Sequence, residues 1–211
     1  MTLVRGSLRE YDAGMREIQR LALFCGSSEG SDIRYRQAAL QMANLLYQDQ
    51  ITMVYGGGNR GLMGIAASEL TSLGGTVIGI LPKILDRSDV RTAQVEKELI
   101  ICATMHERKA KMYELSDAFI AMAGGIGTFE EILEIFTWLQ LGLHTKAVAL
   151  LNTAGFYDPL IAFLHHSKGQ GFIKAELLDA LIVEEDPAVL LARIKTFSVH
   201  LGDKLVGEPR P

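Results

Sequence analysis

The chain has 211 residues, 48% hydrophobic and 22% charged, which suits one folded domain with a full core and excludes a disordered chain. A formal net charge of −4 implies no basic surface for nucleic acid. No apolar run reaches the ~18 residues of a membrane span, and no secretory signal pattern opens the chain.

Residues 1–17 are polar and mixed in charge, as expected of a loose N-terminal extension. The first candidate strand, Leu21–Cys25, ends in Gly26-Ser27-Ser28 and precedes an amphipathic pattern over Asp32–Gln48. A second, Ile51–Tyr55, runs into Gly56-Gly57-Gly58-Asn59-Arg60-Gly61 and a helical pattern over Leu62–Leu73. Strand Thr76–Leu81 opens onto the longest irregular stretch, Pro82 to Lys97, with Asp86, Arg87, Asp89 and Arg91, where a substrate-covering loop is expected. Strands Leu99–Cys102, Ala118–Met122, Ala147–Leu151 and Leu181–Val183 follow. Helical patterns over Met105–Leu115, Thr128–Leu141, Asp158–Ser167 and Ala188–Phe197 alternate with them. The tail at 201–211 reads like the N-terminal extension, which leaves 18–200 as a single domain.

Continuously apolar strands alternating with helices predict an α/β, doubly wound, Rossmann-like sheet. About seven mainly parallel strands are expected, with helices on both faces. In such sheets ligands bind beyond the carboxyl ends of the strands. Cys25 and Cys102 lie in strand-like apolar runs and read as buried thiols, which fits a reducing cytoplasm.

Gly124-Gly125-Ile126-Gly127-Thr128 follows a strand and opens a helix, so several backbone N–H groups converge on one spot. The helix dipole adds roughly half a positive charge there, which suits a phosphate. Glu130 and Glu131 are expected in the first helical turn, beside any bound phosphoester. A pure anion cradle has no need of them. Gly56, Gly58 and Gly61 match G-x-G-x-x-G, the dinucleotide fingerprint. A dinucleotide site also wants a carboxylate ending the next strand to hold the ribose. That strand ends Ile80-Leu81-Pro82, so no nicotinamide or flavin is expected. No Gly-Lys-Ser/Thr follows any glycine turn, which excludes a P-loop.

Periodicity separates ordinary charges from misplaced ones. Glu130, Glu134 and Thr137 share one helical stripe, whereas Glu131 falls with Ile135 and Trp138 on an otherwise apolar one. A carboxylate on a buried stripe is costly unless paired or used. Glu107, Lys111 and Glu114 form a solvated stripe with favourable Glu-to-Lys spacing. Arg108 instead shares the core-side stripe of Met105, Met112 and Leu115. Such an arginine is either a salt-bridge partner or a fork for carboxylate or phosphate. Lys109 beside it adds charge or simply faces water. His106, His144, His165 and His166 have no metal-ligand spacing.

Ala123-Gly124-Gly125-Ile126-Gly127-Thr128-Phe129-Glu130-Glu131 resembles the PGGxGTxxE signature of the LOG ("lonely guy") proteins, the cytokinin riboside 5′-monophosphate phosphoribohydrolases. Met105-His106-Glu107-Arg108-Lys109 resembles their MHERK signature. Cys25-Gly26-Ser27-Ser28, Tyr55-Gly56-Gly57-Gly58 and Gly61-Leu62-Met63-Gly64 also fit, so the likeness runs from Leu21 to Phe197. Ala123 departs from the family's proline and leaves the entry to the turn less constrained.

The resemblance implies hydrolysis of the N-glycosidic bond of a purine nucleoside 5′-monophosphate, without metal or redox cofactor. It implies Arg108 and Glu131 as catalytic residues, Gly124, Gly125, Ile126, Gly127 and Thr128 as the phosphate site, and Lys109, Glu130 and Thr137 as pocket lining. AMP and an N6-prenylated cytokinin nucleotide both remain open as substrate. It further implies a homodimer or larger assembly with the site near the subunit interface, and no nucleic-acid or membrane partner. The alternative on the same fold is a non-catalytic nucleotide or molybdenum-cofactor carrier. Members were once labelled lysine decarboxylases, but no lysine here sits in a recognisable pyridoxal phosphate site.

Overall fold

The structure is a computed structural model that describes residues 17–86 and 95–199. The expected N-terminal extension up to residue 16, the C-terminal tail, and Arg87, Asp89 and Arg91 of the irregular stretch lie outside the described residues.

The strands are β1 Arg20–Phe24, β2 Thr52–Tyr55, β3 Val77–Pro82, β4 Glu98–Cys102, β5 Ala118–Ala121, β6 Ala147–Leu151 and β7 Leu181–Glu184. The helices are α1 Ile33–Gln48, α2 Gly61–Ser72, α3 Met105–Leu115, α4 Ile126–Gln140, α5 Asp158–Gly169, α6 Ala175–Asp179 and α7 Pro187–Lys195. All seven strands form one sheet in the order β4-β3-β2-β1-β5-β6-β7. Every pairing is parallel, so the expected "mainly parallel" sheet is wholly so. Only α6, too short to carry a periodic signal, has no counterpart in the sequence pattern.

Side-chain alternation along the strands inside the sheet builds a core on both faces. Leu21, Leu23 and Cys25 pack with α1, α2 and α7, whereas Ala22 and Phe24 pack with α3, α4, α5 and α6. Burial on both faces is why the strands read as unbroken apolar runs. Both cysteines are buried free thiols.

Several helix starts follow from local chemistry. Asp32 accepts from Arg34 N at α1, and Asp186 from Ala188 N and Val189 N ahead of Pro187 at α7. At α3, Thr104 accepts from Glu107 N while Glu107 accepts from Ala103 N. Glu107 is therefore a cap, and Lys111 pairs with Glu114 instead of with it. Helix α4 starts after Gly125 with no side-chain cap at all.

The chain leaves β1 toward β2, β3 and β4, then returns to lay β5 on the other side of β1. That reversal opens a crevice at the carboxyl ends of β1 and β5. The turn after β1 ties its edges together: Gly26 N donates to Ala123 O at 3.0 Å, and Gly26 O accepts from Met63 N at 3.4 Å. From below, buried Tyr157 donates its hydroxyl to Met122 O at 2.7 Å, just ahead of the third turn. Its own N–H is held by Asn152 Oδ1 at 2.7 Å.

Tyr157→Phe leaves the Met122 carbonyl without this donor in a dry setting. A loss of roughly 1–3 kcal/mol is expected, read as a lowered urea midpoint with unchanged slope. An unchanged midpoint would show that Tyr157 does not anchor the turn.

Candidate active site

The third glycine turn depends on close backbone approach. A Cβ on Gly124 would overlap Thr128 Oγ1 and sit 2.8 Å from Gly26 N. Thr128 is buried against this bare backbone. Beyond Gly125 and Gly127 there is open space within 4 Å of where a Cβ would stand. Ile126, Gly127 and Thr128 belong to the first turn of α4, whose amides have no intrahelical acceptor. With no capping side chain, they and the helix dipole suit an anion. Ala123 is buried and its carbonyl is tied to Gly26, so the turn after β1 constrains the entry that proline would otherwise stiffen.

Because α4 begins at Ile126, Glu130 and Glu131 lie in its second turn, and the expectation of first-turn acids is corrected. A glycine cap extends the helix two residues upstream of where the apolar period begins. Glu131 points to the sheet, its side chain 12% exposed, and meets Arg108 Nη1 at 2.5 Å. Arg108 reaches it from α3, with Nε donating to Ile80 O at 3.2 Å. Its Nη2 occupies the space where a Cβ on Gly56 would stand. Gly61 in turn lies against the Ser27 and Ser28 backbone. These glycines of the dinucleotide fingerprint thus serve close packing and an arginine berth.

Arg108 and Met112 are on the core side as expected, but Met105 of the same stripe is 40% exposed. It starts α3 just past the carboxyl end of β4, where no sheet lies beneath it.

Electrostatics set the state of the pair. Burial pushes the Glu131 carboxyl above its ordinary range, Arg108 works to lower it, and Glu130 adds to the rise. The nearby Cys25 thiol is raised far enough by burial, and secondarily by Glu131, to stay protonated. Lys109, expected to face water or to add charge, is nearly buried and pairs with both Glu130 and Glu134, the latter at 2.9 Å. Burial works to lower its ammonium, but the two carboxylates outweigh it and hold it above the ordinary lysine value.

The structure thus gathers Arg108, Lys109, Glu130 and Glu131 beside the third glycine turn. It leaves Thr137 exposed, with its hydroxyl donating to Leu133 O at 2.7 Å. Glu134 is the addition. Its place one turn after Glu130 was the available signal, and only the packing of α3 against α4 turns it toward Lys109. Among the described residues, no group of three or more His, Cys, Asp or Glu could hold a metal. Nor, among them, is any helix long and apolar enough to cross a membrane. His144 is structural: Nε2 meets Ile135 O, Nδ1 accepts from Lys146 N, and burial lowers its pKa.

A family model described as "possible lysine decarboxylase" matches residues 63–194. The chain is 43% identical over 179 residues to cytokinin riboside 5′-monophosphate phosphoribohydrolase LOG2 of Arabidopsis thaliana, covering 85% of this chain and 84% of that protein. It is 43% identical to a probable enzyme of the same name, LOGL1, of Oryza sativa subsp. japonica, covering 85% and 80%. Among solved structures, the molybdenum cofactor binding protein of Rippkaea orientalis superposes with TM-score 0.63 at 19% identity, covering 85% of this chain and 97% of that one. At that identity the likeness is one of fold.

The Glu131 carboxyl is expected to titrate above the ordinary glutamate range, and Arg108→Ala to raise it further by removing a permanent positive charge. Gly56→Ala should shift it the same way by displacing the guanidinium. Carbon-13 NMR titration of the glutamate side chains reads both, and a lowered or unmoved midpoint in Arg108→Ala contradicts the pairing.

Proposed function

The chain belongs to the family of the LOG proteins, cytokinin riboside 5′-monophosphate phosphoribohydrolases, and from that premise we propose that it hydrolyses the N-glycosidic bond of a purine nucleoside 5′-monophosphate. The products are the free base and ribose 5-phosphate. The observation that carries this reading is the nearly buried Arg108–Glu131 pair beside an uncapped helix N-terminus. A nucleotide carrier needs the phosphate turn alone.

The phosphate docks on Gly124, Gly125, Ile126, Gly127 and Thr128. Glu130 accepts from a substrate hydroxyl, with Lys109 and Thr137 lining the same side. As the glycosidic bond breaks, the ribose gains oxocarbenium character. Glu131, ionised, stabilises that charge or takes a proton from the water that adds to C1′. The electron pair of the broken bond leaves with the base, which acquires a proton. Arg108 is permanently charged and cannot donate that proton as an ordinary acid. It orients Glu131 and stabilises charge on the departing base.

The lysine decarboxylase label finds no support at this site. Lys109 is clasped by two carboxylates and held as an ammonium, the opposite of the depressed amine a Schiff base requires. We also read the protein as a cytoplasmic homodimer or larger assembly. Ile126, Leu133 and Leu141 share one exposed stripe of α4 and its C-cap, which supports a partner there, and two free buried thiols support a reducing compartment.

Incubation with AMP is expected to release adenine and ribose 5-phosphate in equal amounts, separable by chromatography. Glu131→Gln and Arg108→Ala should each lower turnover by about a thousandfold while circular dichroism stays unchanged. Wild-type turnover in either variant contradicts the assignment. The ratio of kcat/KM for AMP and isopentenyladenosine monophosphate then decides which is preferred.

A further inference from the structure

Two cations and three carboxylates meet between α3 and α4, and their pairing is unequal. Arg108 has Glu131, whereas Lys109 is shared by Glu130 and Glu134. The two acids that share it sit in different surroundings. The Glu130 side chain is 49% exposed at the rim, whereas that of Glu134 is 26% exposed and lines a hollow with Glu131, Phe24 and Ile135. The Lys109 side chain is only 12% exposed, a setting in which an ammonium must keep a counter-ion. With Glu134 in place, Glu130 is a second acceptor that Lys109 can release.

We propose that Glu134 is a positioning residue that keeps Lys109 neutralised, so that Glu130 is free to leave Lys109 and accept a hydrogen bond from a sugar hydroxyl of the substrate. The inference rests on the reading of this site as a nucleotide pocket. A carboxylate beside a phosphate can bond a nucleotide only through a donor, and the sugar supplies one next to the phosphate. When the charge of Glu134 is removed, Lys109 takes Glu130 as its sole partner and the substrate loses that acceptor. The penalty falls on binding, because the Arg108–Glu131 pair is untouched.

The test is a steady-state double-mutant cycle on the full chain with AMP, using Glu134→Gln, Glu130→Gln and the double variant. Glu134→Gln is expected to raise KM about tenfold with kcat within about threefold of wild type. In the double variant a neutral residue 130 no longer competes for Lys109, so the KM losses of the two single variants should combine to less than their product. Glu134→Asp keeps the charge and should recover most of the KM, and it carries the test if Glu134→Gln fails to fold. An unchanged KM, a loss confined to kcat, or additive losses in the double variant would overturn the proposal. Calorimetric binding of AMP runs the same cycle without turnover. A wild type that binds AMP without releasing adenine sinks the hydrolase reading alone, whereas one that does not bind it sinks both.

Discussion

A permanent positive charge held next to a carboxylate, nearly out of water, is the constraint on which the rest of this structure depends. Arg108 is 7% exposed, and an unpaired charge at that depth would cost several kcal/mol. Three separate elements meet its demands. Strand β3 offers the Ile80 carbonyl, α4 offers Glu131, and the turn after β2 offers the empty side of Gly56. Each stands at the carboxyl edge of the sheet, so the pair exists only where the strand order and the helix placement bring those edges together.

The same edge explains the division of labour among the glycines. Gly124 lets the backbone of the third turn close on Thr128 and Gly26. Gly61 lets the second turn lie on the first. The uncapped start of α4 then leaves polar N–H groups facing the crevice, one helical turn ahead of Glu130 and Glu131. On the proposed function, a phosphate held there would bring the rest of a nucleotide toward the carboxylates. Positioning and charge stabilisation, the two largest contributions a rigid site can make, come from one helix.

Much of this was legible in the sequence because burial imposes pattern. The strands stood out as apolar runs, since all but the edge strand β4 are covered on both faces; β4 reads as apolar although its Ile101 is 44% exposed. Glu131 and Arg108 betrayed themselves by falling on stripes that should be apolar. Met105 misled for the complementary reason: it shares the period of a buried stripe but lies past the sheet that would cover it. The bond between Glu134 and Lys109 joins residues from two helices, and no period within either helix encodes how they pack. The start of α4 was hidden because a glycine cap carries no side-chain signal. The short α6 spans too few residues for a periodic signal.

The central claim is that Glu131 works as an anion kept ionised by Arg108 against its burial. The pH dependence of kcat/KM, measured beside the carbon-13 titration of the Glu131 carboxyl, tests it most directly. A carboxyl raised by burial and acting as an anion is active above its midpoint, and its activity is lost as pH falls through it. The account requires the acid limb of the rate profile to coincide with the Glu131 midpoint, above the ordinary glutamate range. A rate that stays flat while Glu131 takes up its proton would contradict it.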